Sequence, residues 1–324
     1  MLTVPATPRA GGTRAASARV AGFTLVELVI ALVLASLVAS ATVTLMLRQQ
    51  RFYNSTSELI QTRQQIRQTA AMLPSDLRGI ASGGGDIYAM TDSSLEFRSV
   101  FGSSIVCVNT GGRLSTVPRV LASGSAMTNW ARLPAVGDSV AVYNDGNSMG
   151  VADDVWTRHE ITVVSPPITG NVANGCPVAS NLVQLSDLTA SNPSYQLTLS
   201  PVAAATIRPG AAMRFFRRVR HSLYKGPDGR SYLGFYDCLK TRTPACNPMQ
   251  PIAGPFRPYA TNGTSGLEFA YYDSTGAVTT NRTLVARISL VVRGEADALL
   301  NLTGAGASAF RDSLRIEVGL RNRK

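Results

Sequence analysis

Lysine is almost missing from this 324-residue chain: Lys225, Lys240 and Lys324 are all it has, against a formal net charge of +11. Arginine therefore carries the positive charge. That excess has two readings: a composition that favours arginine, or attraction to DNA, an acidic polysaccharide or a lipid surface. The even spread of arginines along the chain favours the first. Histidine is as scarce, with only His159 and His221, and none of the four cysteines sits in a C-x-x-C, so a zinc site is poorly supported. P-loop, nucleophile-elbow and HExxH patterns are absent, which gives the expectation of a protein that is not an enzyme and holds no cofactor. Proline and glycine are missing from residues 23–73, so nothing in that stretch breaks a helix.

Hydrophobic residues make up 45% of the chain, enough for a buried core. The cysteines, Cys107, Cys176, Cys238 and Cys246, are even in number and sparse. They read as two disulfides in an oxidising compartment, with three pairings open. Cys238 with Cys246 is the preferred local pair, because Pro244 lets the short segment between them double back, and this leaves Cys107 with Cys176.

Residues 1–22 form a polar leader with Arg9, Arg14 and Arg19 and no acid, ending at Gly22. Residues 23–47 are then apolar and long enough to cross a bilayer, which takes about 20 residues. One charge interrupts them, Glu27. A lone carboxylate in hydrocarbon costs about 2.5 kcal/mol or more. No cation lies within helical reach of Glu27 in its own segment, so its partner is expected to be newly made or supplied by another molecule.

The run Gly22-Phe23-Thr24-Leu25-Val26-Glu27 resembles the class III signal of type IV pilins and type II secretion pseudopilins. The resemblance implies cleavage by prepilin peptidase between Gly22 and Phe23 and N-methylation of Phe23. It also implies an assembly role for Glu27, facing the ammonium of a neighbouring subunit's Phe23, since opposite charges attract strongly at low dielectric. The alternative is an ordinary secretory signal cleaved near Ala39-Ser40-Ala41, which gives Glu27 no purpose. Arg48 and Arg51 follow the span, so flanking charge does not fix orientation. The cysteines and the leader place the bulk of the chain outside the cytoplasm, which implies an inner-membrane, single-pass subunit with a periplasmic head and an extracellular filament as its destination.

Beyond Leu47 the helical pattern continues but turns polar. Leu45, Phe52, Leu59, Ile66, Leu73 and Ile80 recur every seven residues, a stripe suited to docking on a head. Thr56 and Arg63 spoil the second seam of a coiled coil. Pro74 is expected to kink or restart the helix, and residues 83–85, all glycine, to end it. The domain reading is leader 1–22, membrane half-helix 23–47, amphipathic half-helix 48–81 and β-rich head 82–324. In the head, period-two runs start at Leu95, Ser139, Tyr195, Met213, Tyr232, Leu267, Leu284 and Leu314. A turn at residues 225–230 makes a hairpin of two of them. The expected fold is α+β and pilin-like: a long N-terminal helix packed on a mostly antiparallel sheet. Residues 102–137 and 146–192 read as loop-rich insertions.

Residues 73–78 are similar to W-type minor pilins and to pseudopilin J of type II secretion systems, which stays as the closely related alternative, and residues 216–224, 266–273 and 320–323 are similar to W-type minor pilins. They imply a minor subunit whose partners are other pilins, prepilin peptidase and inner-membrane lipid. The basic cluster Arg214, Arg217, Arg218, Arg220 and His221 is split by strand alternation and reads as a solvated face before it reads as a DNA groove. Tyr232, Phe235, Tyr236, Tyr271 and Tyr272 read as core or half-buried positions before base-stacking platforms. Asp145, Asn147, Asp153 and Asp154 lack the full spacing of a calcium loop and read as turn residues. His159 and Glu160 point to opposite faces of a strand. A DNA- or surface-binding adhesion subunit stays as the alternative of a different class.

Overall fold

The computed structural model describes residues 22–146, 153–239, 246, 249–300 and 308–320, the side chains of 297–300 excepted. The leader up to residue 21, Asn147 and residues 321–324 lie outside them. The chain divides into two units, Met1–Thr56 and Ser57–Lys324. The architecture is the expected one, a long N-terminal helix and mostly antiparallel sheet.

Helix α1 runs from Leu25 to Leu77. In the first unit its side chains are exposed as far as Asn54, Leu25, Leu32 and Leu37 at 79%, 62% and 60%. The segment is long and apolar enough to cross a membrane. In the second unit the seven-residue stripe is used as the sequence implies: Ile66, Leu73 and Ile80 are buried, and Leu59 half-buried.

Pro74 neither ends nor restarts α1, which continues as helix to Leu77. Only three residues follow it, so the missing N–H removes a bond from a helix that is already finishing. The helix stops before the three glycines. Ile80 N–H reaches back to Leu77 O at 3.1 Å, and the Asp86 carboxylate accepts the Ala81 N–H at 2.9 Å, closing the chain into turns.

Thirteen strands follow among the described residues. They are β1 (Ile87–Met90), β2 (Ser94–Thr110), β3 (Arg113–Thr116), β4 (Asn129–Trp130), β5 (Ser139–Asn144), β6 (Val155–Val164) and β7 (Gln196–Ser200), then β8 (Ala212–Lys225), β9 (Ser231–Asp237), β10 (Met249–Phe256), β11 (Leu267–Tyr272), β12 (Arg287–Leu300) and β13 (Ser308–Gly319). The first ten form one sheet and the last three another. The large sheet closes on itself. β2 pairs with β3, β3 with β7, β7 with β6, β6 with β5, β5 with β8, and β8 again with β2, every pair antiparallel. Six strands thus make a small barrel, which leaves no free edge within the ring.

Two long strands serve two cores. The Ser94–Val100 part of β2 pairs with Phe216–Ser222 of β8, flanked by β1 and β9. Here Phe97, Leu95 and Val219 meet Ile66, Leu73 and Leu77 of α1 and Leu267, Ile288 and Leu290 of the three-stranded sheet. After a register shift between Val100 and Gly102 the same strands enter the barrel, where Val106, Val140, Val142, Leu197, Leu199, Met213 and Phe215 fill the interior at period two. Among the described residues the segments read as loop-rich are mostly loop, but they also supply barrel strands: residues 102–137 hold the far half of β2 with β3 and β4, and 146–192 hold β6.

The hairpin at residues 225–230 is present, with Gly226 N–H donating to Arg230 O at 2.7 Å. The C-terminal strands start and end differently from the reading: β12 begins at Arg287, because Leu284 N–H folds back on Asn281 O at 3.1 Å.

Helix and small sheet approach closely at Gly294, where an added Cβ would lie 2.7 Å from Thr62 Cγ2 and 3.0 Å from Ile66 Cδ1. Gly294→Val is expected to push the helix off the sheet and lower head stability by about 1–3 kcal/mol, as overpacking does. Thermal melting of the full chain in detergent checks this.

Candidate functional site

The chain has no regular structure at Gly22–Thr24 and turns helical at Leu25. Leu28 N–H donates to Thr24 O at 3.1 Å, so Thr24 is the N-cap and Glu27 the third helical residue. Glu27 Oε2 accepts the Thr24 N–H at 2.9 Å and the Thr24 hydroxyl at 3.0 Å, and Thr24 Oγ1 accepts the Glu27 N–H at 3.3 Å. This is a reciprocal capping box, in which two orphan backbone donors at the helix start are satisfied by two side chains.

The arrangement amends the sequence expectation. Glu27 has partners in its own segment, hydrogen-bond donors and the positive end of the helix dipole, though no cation. Oε1 makes no hydrogen bond among the described residues, so one carboxylate oxygen stays open to an outside donor. The pattern Thr-x-x-Glu ahead of an apolar run was the sequence signal for this cap, and charge reasoning alone overlooked it. Phe23 is 87% exposed, which leaves the Gly22–Phe23 bond region accessible.

All four cysteines are paired, Cys107 with Cys176 and Cys238 with Cys246. Glu96 lies close to Cys238 and Cys246, but sulfurs bonded to each other offer no thiolate, so the group is no zinc site. The Cys107–Cys176 bridge ties the loop before β7 to β2 over Val117, Val183 and Leu188.

The basic cluster is divided between two faces, but Arg217 is not solvated. It is 5% exposed. Its Nε and Nη2 each donate to Asp138 at 2.6 Å, and Nη1 to Asp237 at 3.2 Å. Burial disfavours its charge, but hydrogen bonds and attraction from Asp138 and Asp237 prevail and raise its pKa. On the other face Arg218 and Arg220 both hold the buried Glu96, and Arg214 stacks on Trp156 at 4.9 Å. The cluster is thus occupied internally.

His221 is buried between Phe97 and Phe235, 3.4 Å from Asp76. The tyrosines Tyr232, Tyr236 and Tyr272 are half-buried, as is Phe235, and Tyr271 is buried, with its hydroxyl donating to Thr91 O at 2.9 Å. Burial and the Asp92 charge push the Tyr271 phenol well up. Asp154 accepts the Tyr143 hydroxyl at 2.6 Å, a turn role. His159 is buried on Pro201 O and Thr157 Oγ1, while Glu160 is half-buried.

A family model described as the prokaryotic N-terminal methylation motif matches residues 17–43. No curated protein and no solved structure matches the chain. The motif and the exposed apolar helix behind it support a type IV pilin-like or pseudopilin-like protein, one that is membrane-anchored and disulfide-bonded.

Opening the Cys107–Cys176 bridge, which spans 69 positions, is expected to cost about 4 kcal/mol, and opening Cys238–Cys246, which spans 8, about 2.5 kcal/mol, by loop-closure entropy. Melting of the two paired Cys→Ser variants should give the first the larger drop.

Proposed function

We propose that the chain is a minor type IV pilin precursor, a structural subunit and not a catalyst. Prepilin peptidase would cut it after Gly22 and Phe23 would be N-methylated. The mature chain would sit in the inner membrane by its apolar half-helix, with the head in the periplasm, and then pass into a filament with other pilins. The matched methylation motif supports processing and assembly. Two disulfides in the head support an oxidising compartment for it.

The observation that carries the reading is Glu27. It is the one charge of a membrane-length apolar segment, and it leaves Oε1 free beside the bond whose cleavage creates an ammonium. A neighbour's Phe23 ammonium docking on that oxygen would fix axial register, and an uncut chain would have no such cation to offer.

Two measurements test this. Mass spectrometry of the mature chain should find a methylated Phe23 at its start; a start at Thr42 would show an ordinary secreted protein. Glu27→Val should remain in the inner membrane and be depleted about ten-fold or more from sheared filaments, the scale of losing a 1.4 kcal/mol ion-pair contribution. Incorporation at the native level would exclude the assembly role.

A further inference from the structure

One cleft on the barrel combines aromatic side chains with two arginines. It has a volume of about 330 Å³ and is lined by Arg119, Trp130, Arg132, Ser191 and Tyr195, with Leu133, Asn192 and backbone closing it. This is at the lower end of ligand-sized clefts, about 300–1,000 Å³, and holds a single sugar ring with the rest of a chain outside.

Its wall is fixed by packing. Trp130 pairs with Gly102 across β4 and β2. A Cβ at Gly102 would fall 2.3 Å from Trp130 Cδ1 and 2.7 Å from Asn129 O, so only glycine admits the indole here. Trp130 stands edge-on to Tyr195 and to Phe215, both at 5.6 Å. The rim is fixed as well: the Asn192 amide donates to Val120 O at 2.6 Å and Asp187 O at 2.9 Å, and accepts from Val120 N–H at 3.2 Å.

The polar groups are mostly donors. Arg119 donates to Trp130 O at 3.3 Å and has no carboxylate partner among the described residues. Among the described residues the buried Trp130 indole N–H has no acceptor and the Tyr195 hydroxyl makes no hydrogen bond. Arg132 adds positive charge while held between Phe101 and Phe235, with Nη1 3.3 Å from Asp237. No Asp or Glu lines the cleft.

A hydrocarbon ligand would leave Arg119, Tyr195 and Ser191 unmatched. A bare phosphate would use Arg119 and ignore the aromatic wall. A molecule with an apolar C–H face, a rim of hydroxyls and one carboxylate satisfies all of them. We propose that the cleft between Trp130, Tyr195 and Arg119 binds an acidic saccharide, with the sugar face on the aromatic side and the carboxylate on Arg119. The barrel would then be a recognition module carried by the head, and the proposal stands whether or not the chain enters a filament.

The test uses the full-length chain in lipid nanodiscs. Titrants are a glucuronic-acid trisaccharide, a glucose trisaccharide and a short oligothymidylate. The acidic trisaccharide should bind saturably and about ten-fold more tightly than the neutral one, the size of one charge-assisted contact. Arg119→Gln should remove that preference, Arg119→Lys should recover part of it, and Tyr195→Phe should weaken both sugars. Arg311→Gln, an equal change of net charge on the outer sheet, should leave binding unchanged. All variants should melt as the parent does. Four results overturn the proposal: no saturable binding of the uronate, equal binding by Arg119→Gln, an equal loss in Arg311→Gln, or oligothymidylate displacing the uronate at lower concentration.

Discussion

The head depends on one antiparallel run, β2 against β8. Each strand is long enough to serve two cores in succession, and the register shift between Val100 and Gly102 marks where one hands over to the other. A slip of one residue would turn both sets of side chains inside out, so the run needs a lock. Arg217 sits near the changeover and is held by Asp138 from the start of β5 and Asp237 from the end of β9. Breaking one arm would leave a buried charge without its partner, at a cost of about 3–5 kcal/mol. The triad therefore fixes barrel, sheet and strand register together, and Glu96 bridging Arg218 and Arg220 repeats the device on the opposite face.

The start of α1 shows the same economy on a smaller scale. Charge reasoning predicts a carboxylate stranded in lipid until another molecule arrives. Instead, Thr24 offers it two donors at once. The Glu27 carboxylate therefore has hydrogen-bond donors within its own chain before any neighbour arrives. In the proposed assembly, selectivity for a cut partner would lie in the remaining oxygen, where a free ammonium can bind and an amide nitrogen in mid-chain cannot match it.

Long periodic features were legible in the sequence. The seven-residue stripe on α1 and the alternating runs of β5, β8, β9 and β11 follow from burial of one face, and burial writes itself into residue type. The pairing of the cysteines was legible too, as the local pair with Pro244 between its ends. Barrel closure was not, because it depends on β8 pairing on both edges, and edge pairing is carried by backbone groups that every residue shares. Nor was the burial of Arg217: alternation gave its face correctly, but whether a face meets water or two aspartates far away in sequence is a tertiary fact. The cleft around Trp130 likewise assembles residues from β4 and the loops before β5 and β7, none of which forms a motif alone.

The shortage of lysine gains a physical reading beside the compositional one. Arg217 needs a planar fork to bond two oxygens of Asp138 while turning a third nitrogen to Asp237, which an ammonium cannot do. Arg214, Arg218, Arg220 and Arg287 each lie over an aromatic ring at 4.4–5.7 Å, a geometry that suits a flat, weakly hydrated cation. The net charge of +11 thus does not gather into a basic patch on this cluster. The arginines of this cluster hold strands in register and cover aromatic faces, so their clustering in the sequence is poor evidence for nucleic acid here. The informative arginine is one that the fold leaves without such employment, and Arg119 beside Trp130 is of that kind.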